Sequence, residues 1–494
     1  MAREIQVQSH TPLADYEALG HLAGAVAQLR TDARALVPHI GGRTVWMVNS
    51  TATGGGVAEM LPNVVALLRE LGVDARWAVI DPERTDFFAL TKNIHNMLHD
   101  AGPGELTNAD RELYERISRE SVAGLAELVA PGSIVIIHDP QPLAAGALLK
   151  QRMDVRLIWR CHIGLDAQPP RVAAAWSFLE PYLREYERVV FSVPEYVPGF
   201  LADRATIIAP GIDPLSHKNR ELRPHKLAGI LYDAGLVPCS EPLVAPLWDE
   251  VAERLQPDGT FGPAIQPEEI GLPGRPIITQ VSRWDRLKGF EPLLDAFVLL
   301  KEKVAANHVR LAGDDAALNE RIQRRRRIVR LVLAGPDPAS VADDPEGSAA
   351  FGALREKYMQ LAPSMQRDIA ILSLPMASRK LNALMVNALQ RSSVIIVQNS
   401  IREGFGLTLT EAMWKGTPVL GNTRAAGLRQ QVRDRVDGRM VDDPEDSAAL
   451  AVALDEMLAA PADLDHWAKS AQRRVYDEFL VFTQLRKWLE LLAG

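Results

Sequence analysis

The sequence is poor in cysteine and lacks long apolar runs. Its two cysteines, Cys161 and Cys239, lie far apart and do not have the spacing of a metal site, so we expect a reduced protein. No run of about 18 apolar residues occurs, which argues against a membrane-spanning helix. The opening stretch, MAREIQVQSHTPLADYEALG, lacks the apolar core of a secretory signal. Together these absences favour a cytoplasmic location.

An excess of basic residues is also absent. The chain has 55 Lys and Arg against 63 Asp and Glu, which gives a formal net charge of −8. We therefore expect neither a nucleic-acid nor an anionic-membrane partner. Hydrophobic residues make up 47% and charged residues 24% of the chain, an ordinary globular composition. At 494 residues the chain is too long for one core, and two large domains fit best.

One segment, residues 307–330, departs from this charge balance. It carries Asp314, Asp315 and five arginines between Arg321 and Arg327. The arginines could bind nucleic acid or a partner protein. Because no aromatic residues are interleaved and the whole chain is acidic, we favour a protruding, solvated helical extension. Two adjacent acids in such a helix are expected to face solvent rather than bind a metal.

Both halves of the chain alternate strand-length apolar runs with helical patterns. This alternation is typical of a parallel sheet with helices on both faces. Between the two series, residues 215–275 are rich in proline and turn residues, so we place the inter-domain connection there. The predicted strands are Thr44–Val48, Ala75–Ile80, Ser133–Ile137, Val155–Trp159, Val189–Val193 and Ala205–Ile208, then Ile277–Val281, Leu331–Ala334, Ile369–Leu374, Val394–Val397 and Val419–Leu420.

The stretch NSIREGFGLTLTEAMWKG, residues 399–416, is the strongest candidate for a ligand site. It lies between two apolar runs and predicts a loop followed by a helix that begins near Leu407. The unpaired N–H groups and positive dipole end of such a helix favour phosphate. Glu403 and Glu411 would flank the phosphate and accept hydrogen bonds from hydroxyls, as a sugar nucleotide requires. Alternatively, the helix dipole stabilises Glu403 and Glu411 is solvated.

Two further loops follow predicted strands, where ligands of such sheets bind. VSRWDRLKG places Arg283 and Lys288 where two cations can reach one diphosphate, although a pair of surface basic residues is the simpler interpretation. In NSTATGGGVAEML, Gly54, Gly55 and Gly56 precede a predicted helix and admit a ligand close to the backbone. Their spacing matches neither the dinucleotide fingerprint nor the lysine-bearing P-loop.

Taken together, EGFGLTLTE and SRWDRLKG resemble the nucleotide-sugar signature of retaining glycosyltransferases of the glycogen-synthase and sucrose-synthase type. Within that superfamily, VWMVNSTATGGGVAEML, KNIHNML, HDPQPL, WRCHIG and DYEALG resemble the trehalose glycosyltransferring synthases. The likeness spans residues 15–441. It implies the GT-B fold, an α/β architecture in which two Rossmann-like domains face each other across a cleft, with a C-terminal helical segment.

On this resemblance, residues 1–214 form an N-terminal Rossmann-like domain on the acceptor side. Residues 215–463 form a C-terminal Rossmann-like domain that binds the nucleotide sugar. Residues 464–494 are helical in pattern and are expected either to pack back on the N-terminal domain or to form an ordinary terminal helix pair.

The resemblance also implies a role for each candidate site residue. Arg283 and Lys288 would bind the diphosphate, Glu403 the donor-sugar hydroxyls, and His162 would lie near the primary hydroxyl of that sugar. The other implied donor-binding residues are Gly55, Gly56, Gly404, Phe405, Gly406 and Leu407, with Glu411 on the ribose. The implied acceptor-binding residues are Glu59, His138 and Asp139, although His138 and His95 fit a structural role equally well.

The expected activity is therefore retaining transfer of glucose from a nucleoside-diphosphate glucose, such as UDP-glucose or ADP-glucose, to glucose, forming α,α-trehalose. The alternatives are a trehalose phosphorylase, a related glucosyltransferase with another acceptor, a sugar-nucleotide epimerase and a non-catalytic sugar-nucleotide binder. We expect no tightly bound cofactor and no metal, because no motif for one is visible. The expected partners are small molecules, and a homodimer remains open.

Overall fold

The computed structural model of the protein describes residues 2–7, 10–53, 55–82, 84–238, 248, 250–306, 315–337 and 345–494. Gly54, Cys239 and residues 307–314, which include Asp314, lie outside these ranges. The chain divides into two compact units. The first unit comprises Met1–Gly211 and Phe479–Gly494, and the second comprises Ile212–Glu478.

The first unit is built on a largely parallel sheet. Its strands are β1 (Arg3–Ile5), β2 (Val45–Asn49), β3 (Ala75–Val79), β4 (Ile134–His138), β5 (Arg156–Arg160), β6 (Arg188–Phe191) and β7 (Ala205–Ile207). Within the described ranges they form seven strands in the order β1-β3-β2-β4-β5-β6-β7, and β1 alone is antiparallel to its neighbour. Every residue of β2 and β4 is buried, as their continuous apolar sequences require.

Helices cover the sheet of the first unit. They are α1 (Leu13–Glu17), α2 (Gly20–Ile40), α3 (Gly55–Glu70), α4 (Thr85–Leu98), α5 (Asn108–Leu128), α6 (Leu143–Arg152) and α7 (Pro170–Leu183). The helix predicted to start near Val57 is α3, which begins at Gly55. In α5, Thr107 and Asp110 form a capping box that satisfies backbone N–H groups of the first turn.

The second unit repeats this architecture. Its strands are β8 (Glu253–Leu255), β9 (Phe261–Pro263), β10 (Ile277–Val281), β11 (Arg330–Pro336), β12 (Ile369–Leu374), β13 (Ile395–Val397), β14 (Val419–Asn422) and β15 (Arg439–Val441). In the described part of the chain they form eight strands in the order β15-β14-β13-β10-β11-β12-β8-β9. β8 and β9 pair antiparallel at one edge and lie inside the connecting segment, where little strand was predicted.

The helices of the second unit follow its strands in the same alternation. They are α8 (Pro224–Asp233), α9 (Phe290–Ala305), α10 (Ala316–Ile328), α11 (Pro345–Met359), α12 (Pro363–Arg367), α13 (Arg379–Arg391), α14 (Leu407–Trp414), α15 (Ala426–Gln431), α16 (Ser447–Ala459) and α17 (Pro461–Glu478). Both units are thus α/β domains of the Rossmann-like kind, as predicted.

The arginine-rich segment is not the fully solvated extension that was expected. Its described part is α10, which begins after Asp315 caps its first turn and packs against α9 and α16. Arg326 is 1% exposed and forms an ion pair with Asp455, with 2.6 Å between Nε and Oδ1. Arg321 and Arg324 are exposed as predicted. Arg326 therefore holds one face of α10 against the protein, while Arg321 and Arg324 lie on its exposed face.

The last helix, α18 (Val481–Ala493), returns to the first unit, whereas α17 packs on α14 in the second. The change of unit falls between Glu478 and Phe479, later than the predicted boundary at 463. In the first unit the Phe482 ring meets that of Tyr16 edge-on, with centroids 5.2 Å apart. Trp488, 2% exposed, completes the packing. None of the helices described is both long and apolar enough to span a membrane.

Gly211, the last residue of the first stretch of the first unit, lies against the start of α18. A Cβ added there would be 2.8 Å from the carbonyl group of Leu480 and from the Cα of Val481. Backbone atoms cannot move aside cheaply, so Gly211→Ala should destabilise the protein by about 1–3 kcal/mol. Differential scanning calorimetry should show a lower midpoint of unfolding.

Gly199→Ala is the matched control, because no described atom lies within 4 Å of its added Cβ. Equal midpoints for the two variants would contradict the close packing of Gly211.

Candidate active site

Two loops of the second unit meet at the carboxyl edge of its sheet. Arg283 and Lys288 follow β10, and Glu403 follows β13. Because β10 and β13 are parallel neighbours, paired through Ile278 with Ile395, the loops after them emerge side by side.

The two loops are joined by an ion pair. Lys288 Nζ lies 2.6 Å from Glu403 Oε2, and the two side chains are only 16% and 13% exposed. Ser400 Oγ donates to the same carboxylate oxygen at 2.9 Å. Burial raises the pKa of Glu403, but the charge of Lys288, the hydrogen bonds from Lys288 and Ser400, and the charge of Arg283 outweigh it, so its pKa lies below the usual value. Glu403 is therefore a carboxylate that can only accept hydrogen bonds.

Two buried amide side chains hold these loops in place. Gln280 Nε2 donates to the carbonyl oxygen of Lys288 at 2.8 Å, while Gln280 Oε1 accepts from the N–H of Asn399 at 3.0 Å. Asn399 Nδ2 in turn donates to the carbonyl oxygen of Gly289 at 3.1 Å. Sequence reasoning missed both residues. The signal for Gln280 was a long polar side chain inside the mainly apolar strand IITQV.

The glycine loop before α14 is held equally tightly. Gly406, at φ 90°, is the N-cap of α14, and a Cβ there would lie 2.5 Å from Leu428 Cδ2. Gly427 of α15 lies against the Phe405 backbone, where a Cβ would be 2.6 Å from Cα. The helix begins at Leu407 as predicted, and Gly404 and Leu407 are partly exposed beside Glu403. The backbone N–H groups of the first turn are thus fixed where an anion could bind.

Glu411 lies on α14 and is 7% exposed, not solvated. Its Oε1 is 3.9 Å from Lys218 Nζ. Lys415 Nζ donates to Asn219 Oδ1 and to the Glu411 carbonyl oxygen, each at 3.1 Å. Burial lowers the pKa of Lys415 to about 7, although the charge of Glu411 opposes the shift. Sequence reasoning missed both lysines. Lys415 is one helical turn after Glu411, whereas the approach of Lys218 depends on the packing of residues 213–220.

In the first unit, the carboxyl ends of β4 and β5 bring His138, Asp139 and His162 together. His138 Nδ1 lies 3.1 Å from His162 Nε2. Asp139 Oδ1 accepts from the backbone N–H of His162 at 2.9 Å. Asp139 itself has φ 64°, a conformation that is uncommon for a residue other than glycine and often marks a functional site. The structure therefore assembles three of the predicted residues.

A buried arginine that the sequence did not single out sets the electrostatics of this cluster. Arg160 is 0% exposed, and its Nη2 donates to Ser192 Oγ at 3.2 Å. Burial and the charge of Arg160 lower the pKa of His138 to about 3 and that of His162 well below its usual value. Burial raises the pKa of Asp139 to about 6, against the opposing effects of the His162 hydrogen bond and Arg160. Both histidines are therefore neutral.

The remaining predicted residues of the first unit lie apart from this hydrogen-bonded cluster. Gly56 and Glu59, at the start of α3, are exposed, and Gly55 is the first residue of that helix. Met60, in the same helix, shares with His138 and His162 the lining of a small cavity that Gln484 and Trp488 of α18 complete. His95 lies on α4, where its ring contacts that of His99. Among the described residues, no cluster of three or more His, Cys, Asp or Glu could hold a metal ion.

The chain matches two known protein families. Residues 47–198 match the family described as trehalose synthase, N-terminal domain, and residues 380–474 match glycosyl transferases group 1. The first match covers the histidine cluster and the second covers the loop of Glu403 and α14.

Full-length relatives agree with these matches. The trehalose synthase of Pyrococcus horikoshii is 34% identical over 91% of this chain and 90% of its own. That of Rubrobacter xylanophilus is 30% identical over 98% of this chain and 97% of its own. The trehalose phosphorylase of Grifola frondosa is 27% identical over 90% of this chain but only 56% of its own length.

Among solved structures, the α,α-trehalose-phosphate synthase (UDP-forming) of Burkholderia xenovorans superposes with a TM-score of 0.62 at 15% identity. The match covers 91% of this chain and 100% of that one. At this identity the likeness concerns the fold alone. From the relatives and the fold together, the chain belongs to the trehalose synthase family and is a trehalose-related glycosyltransferase of the GT-B class.

Proposed function

We propose that this protein transfers glucose from a nucleoside-diphosphate glucose to free glucose, with retention of configuration, and so forms α,α-trehalose. The observation that carries the proposal is the Lys288–Glu403 ion pair at 2.6 Å, next to Arg283 and to the first turn of α14. Two cations suited to a diphosphate and an ionised acceptor suited to hydroxyls lie at one sheet edge, which supports a nucleotide-sugar donor. The names of the relatives indicate trehalose as the product.

In this proposal Lys288 gives up its ion pair with Glu403 when the donor binds, and pairs with the donor's diphosphate instead. The diphosphate takes Lys288 and Arg283 as counter-ions, together with the N–H groups of residues 404–407. Glu403, released from Lys288, accepts hydrogen bonds from the glucosyl hydroxyls, and Glu411 accepts from the ribose. The nucleotide sugar is a co-substrate, and the proposal includes no tightly bound cofactor or metal.

The chemistry follows from where charge develops. The bond between the anomeric carbon and the β-phosphate oxygen breaks, and negative charge grows on the leaving diphosphate beside Lys288 and Arg283. A hydroxyl oxygen of the acceptor glucose forms the new bond on the same face and gives its proton to the departing phosphate. Of the three predicted acceptor residues, Glu59 and Asp139 hold the acceptor. Both ring nitrogens of His138 are engaged by Met47 and His162, so His138 instead supports neutral His162, which hydrogen-bonds a sugar hydroxyl.

A trehalose phosphorylase is the second candidate, because phosphorylases of that name are among the relatives. It would place inorganic phosphate where the nucleotide diphosphate binds. Glu411 favours the first proposal, because a buried acid that accepts from ribose has no purpose without a nucleoside.

Product analysis distinguishes the two activities. The protein is incubated either with UDP-, ADP- or GDP-glucose and glucose, or with trehalose and inorganic phosphate. A new non-reducing disaccharide in the first mixture supports the transferase. Glucose 1-phosphate formed only in the second mixture would replace it with the phosphorylase.

Lys288→Ala and Arg283→Ala should each lower kcat by roughly 10²-fold, because each removes a charge from the leaving group. Steady-state kinetics with saturating donor and glucose measures the effect. Arg286→Ala is the control, since Arg286 lies in the same loop and is exposed like Arg283, but has no contact with the donor in this proposal. Wild-type turnover in Lys288→Ala would rule out its role on the leaving group.

Glu411→Ala should raise the KM for the sugar nucleotide, whereas Glu411→Gln should recover part of the loss through its remaining acceptor oxygen. Isothermal titration with UDP, ADP and GDP reports binding without turnover. Glu320→Ala, a change to an exposed acid on α10, should leave affinity unchanged. Equal affinity in all these proteins would refute ribose binding by Glu411.

Protonation of Asp139 should lower the activity on the acidic side of the pH profile, here called the acid limb. Its pKa is raised to about 6, so the carboxylate that accepts from glucose forms as the pH rises through that value. We expect kcat/KM for glucose to fall below pH 6 in the wild type and to lose that limb in Asp139→Asn. Asp203→Asn, on the exposed surface of the same unit, should keep the limb. An unchanged profile in Asp139→Asn would contradict this assignment.

A further inference from the structure

Three neighbouring strands of the first unit align a methionine with the two histidines. Met47 lies in β2 and His138 ends β4, while His162 follows β5, and β4 pairs in parallel with both other strands. Met47 Sδ is 3.4 Å from His138 Nε2, and His138 Nδ1 is 3.1 Å from His162 Nε2. The three side chains therefore form one continuous chain of polar contacts.

The direction of hydrogen bonding along this chain is fixed at the methionine end. A thioether sulfur can only accept a hydrogen bond, so Nε2 of His138 carries the proton. A neutral imidazole has a single N–H, which leaves Nδ1 of His138 as an acceptor. His162 must then donate from its own Nε2, and its Nδ1 keeps an unshared electron pair.

Both rings are held in the neutral state that this reasoning requires. His138 is 2% exposed, and the buried guanidinium of Arg160 lies near both rings. Asp139 does not compete for a ring proton, because its Oδ1 accepts the backbone N–H of His162 at 2.9 Å. That bond also fixes the position of His162 independently of Met47.

We infer that Met47, acting through His138, sets the tautomer of His162 so that Nδ1 of His162 accepts a hydrogen bond from a sugar hydroxyl. In the described part of the chain, Nδ1 of His162 has no hydrogen-bond partner, and the side chain is half-buried rather than enclosed. A hydroxyl can donate to that nitrogen, whereas a carboxylate or phosphate oxygen cannot. Met47 is thus a positioning residue for the proton of His162. The identity of the ligand as a sugar rests on the proposed function.

The tautomers can be read without any substrate. In full-length protein labelled with ¹⁵N-histidine, long-range ¹H–¹⁵N correlation spectra separate protonated from unprotonated ring nitrogens. Spectra of His138→Asn and His162→Asn assign the two residues. We expect the Nε2–H form for both in the wild type, and a loss of that preference at both in Met47→Leu. Met60→Leu, which changes another methionine lining the same cavity, should leave both tautomers unchanged.

Steady-state kinetics test whether the tautomer of His162 affects turnover. Met47→Leu should lower kcat by about tenfold, the factor that corresponds to one hydrogen bond lost in the transition state, and Met60→Leu should not. His138→Asn, whose side-chain oxygen can take the place of Nδ1, should retain more activity than His138→Phe.

The outcomes separate this inference from the proposed function. An Nδ1–H tautomer of His138 in the wild type, or tautomers that Met47→Leu leaves unchanged, would overturn the inference whatever the activity. Wild-type tautomers as expected and lost in Met47→Leu would support it, even if no sugar nucleotide proves to be a substrate. In that case the proposed function is wrong, but the effect of Met47 on the tautomers of His138 and His162 is confirmed.

Discussion

The ion pair between Lys288 and Glu403 is the interaction on which the candidate donor site depends. It joins loops that follow two adjacent parallel strands, and both charges are largely withdrawn from water. Removing one partner of such a pair typically costs about 3–5 kcal/mol, because the other charge is left buried and uncompensated. The amides of Gln280 and Asn399 fix the backbones on either side of the pair. The backbone positions of both residues are therefore fixed by the protein itself, and in the proposed function only the partners of the two side chains change when the donor binds.

The candidate residues of the two units differ in their electrostatics. In the second unit, charges are paired and partly open, which suits a ligand that is itself charged. In the first unit, burial and then the charge of Arg160 keep His138 and His162 neutral, and burial raises the pKa of Asp139 to about 6. Neutral imidazoles exchange hydrogen bonds with hydroxyls without attracting a second anion. This division is consistent with the proposed reaction, in which a diphosphate leaves and uncharged sugars are joined.

Much of this fold follows from the sequence, because strands buried on both faces read as continuous apolar runs. Ile277–Val281 and Ile369–Leu374 were predicted to the residue, and the start of α14 at Leu407 follows from its glycine loop. The short strands β1, β8, β9 and β15 were not predicted, because a charged residue, glycine or proline interrupts the apolar pattern in each of REI, ERL, FGP and RMV. The Lys288–Glu403 contact was not predicted from the sequence for another reason. It joins residues 115 positions apart and depends on strand order, which periodicity does not contain.

The polar residues that sequence reasoning missed or left undecided nevertheless share a recognisable position. Gln280 in IITQV, Arg160 in RLIWR and His138 in IVIIH each stand at or next to the carboxyl end of a mainly apolar strand. A polar side chain buried there without a partner costs about 1–3 kcal/mol, so it is tolerated only where a partner exists across the sheet edge. Such a residue therefore implies a contact from a neighbouring loop before that loop is known. In a parallel sheet, whose carboxyl edge binds ligands, the contact lies next to the chemistry.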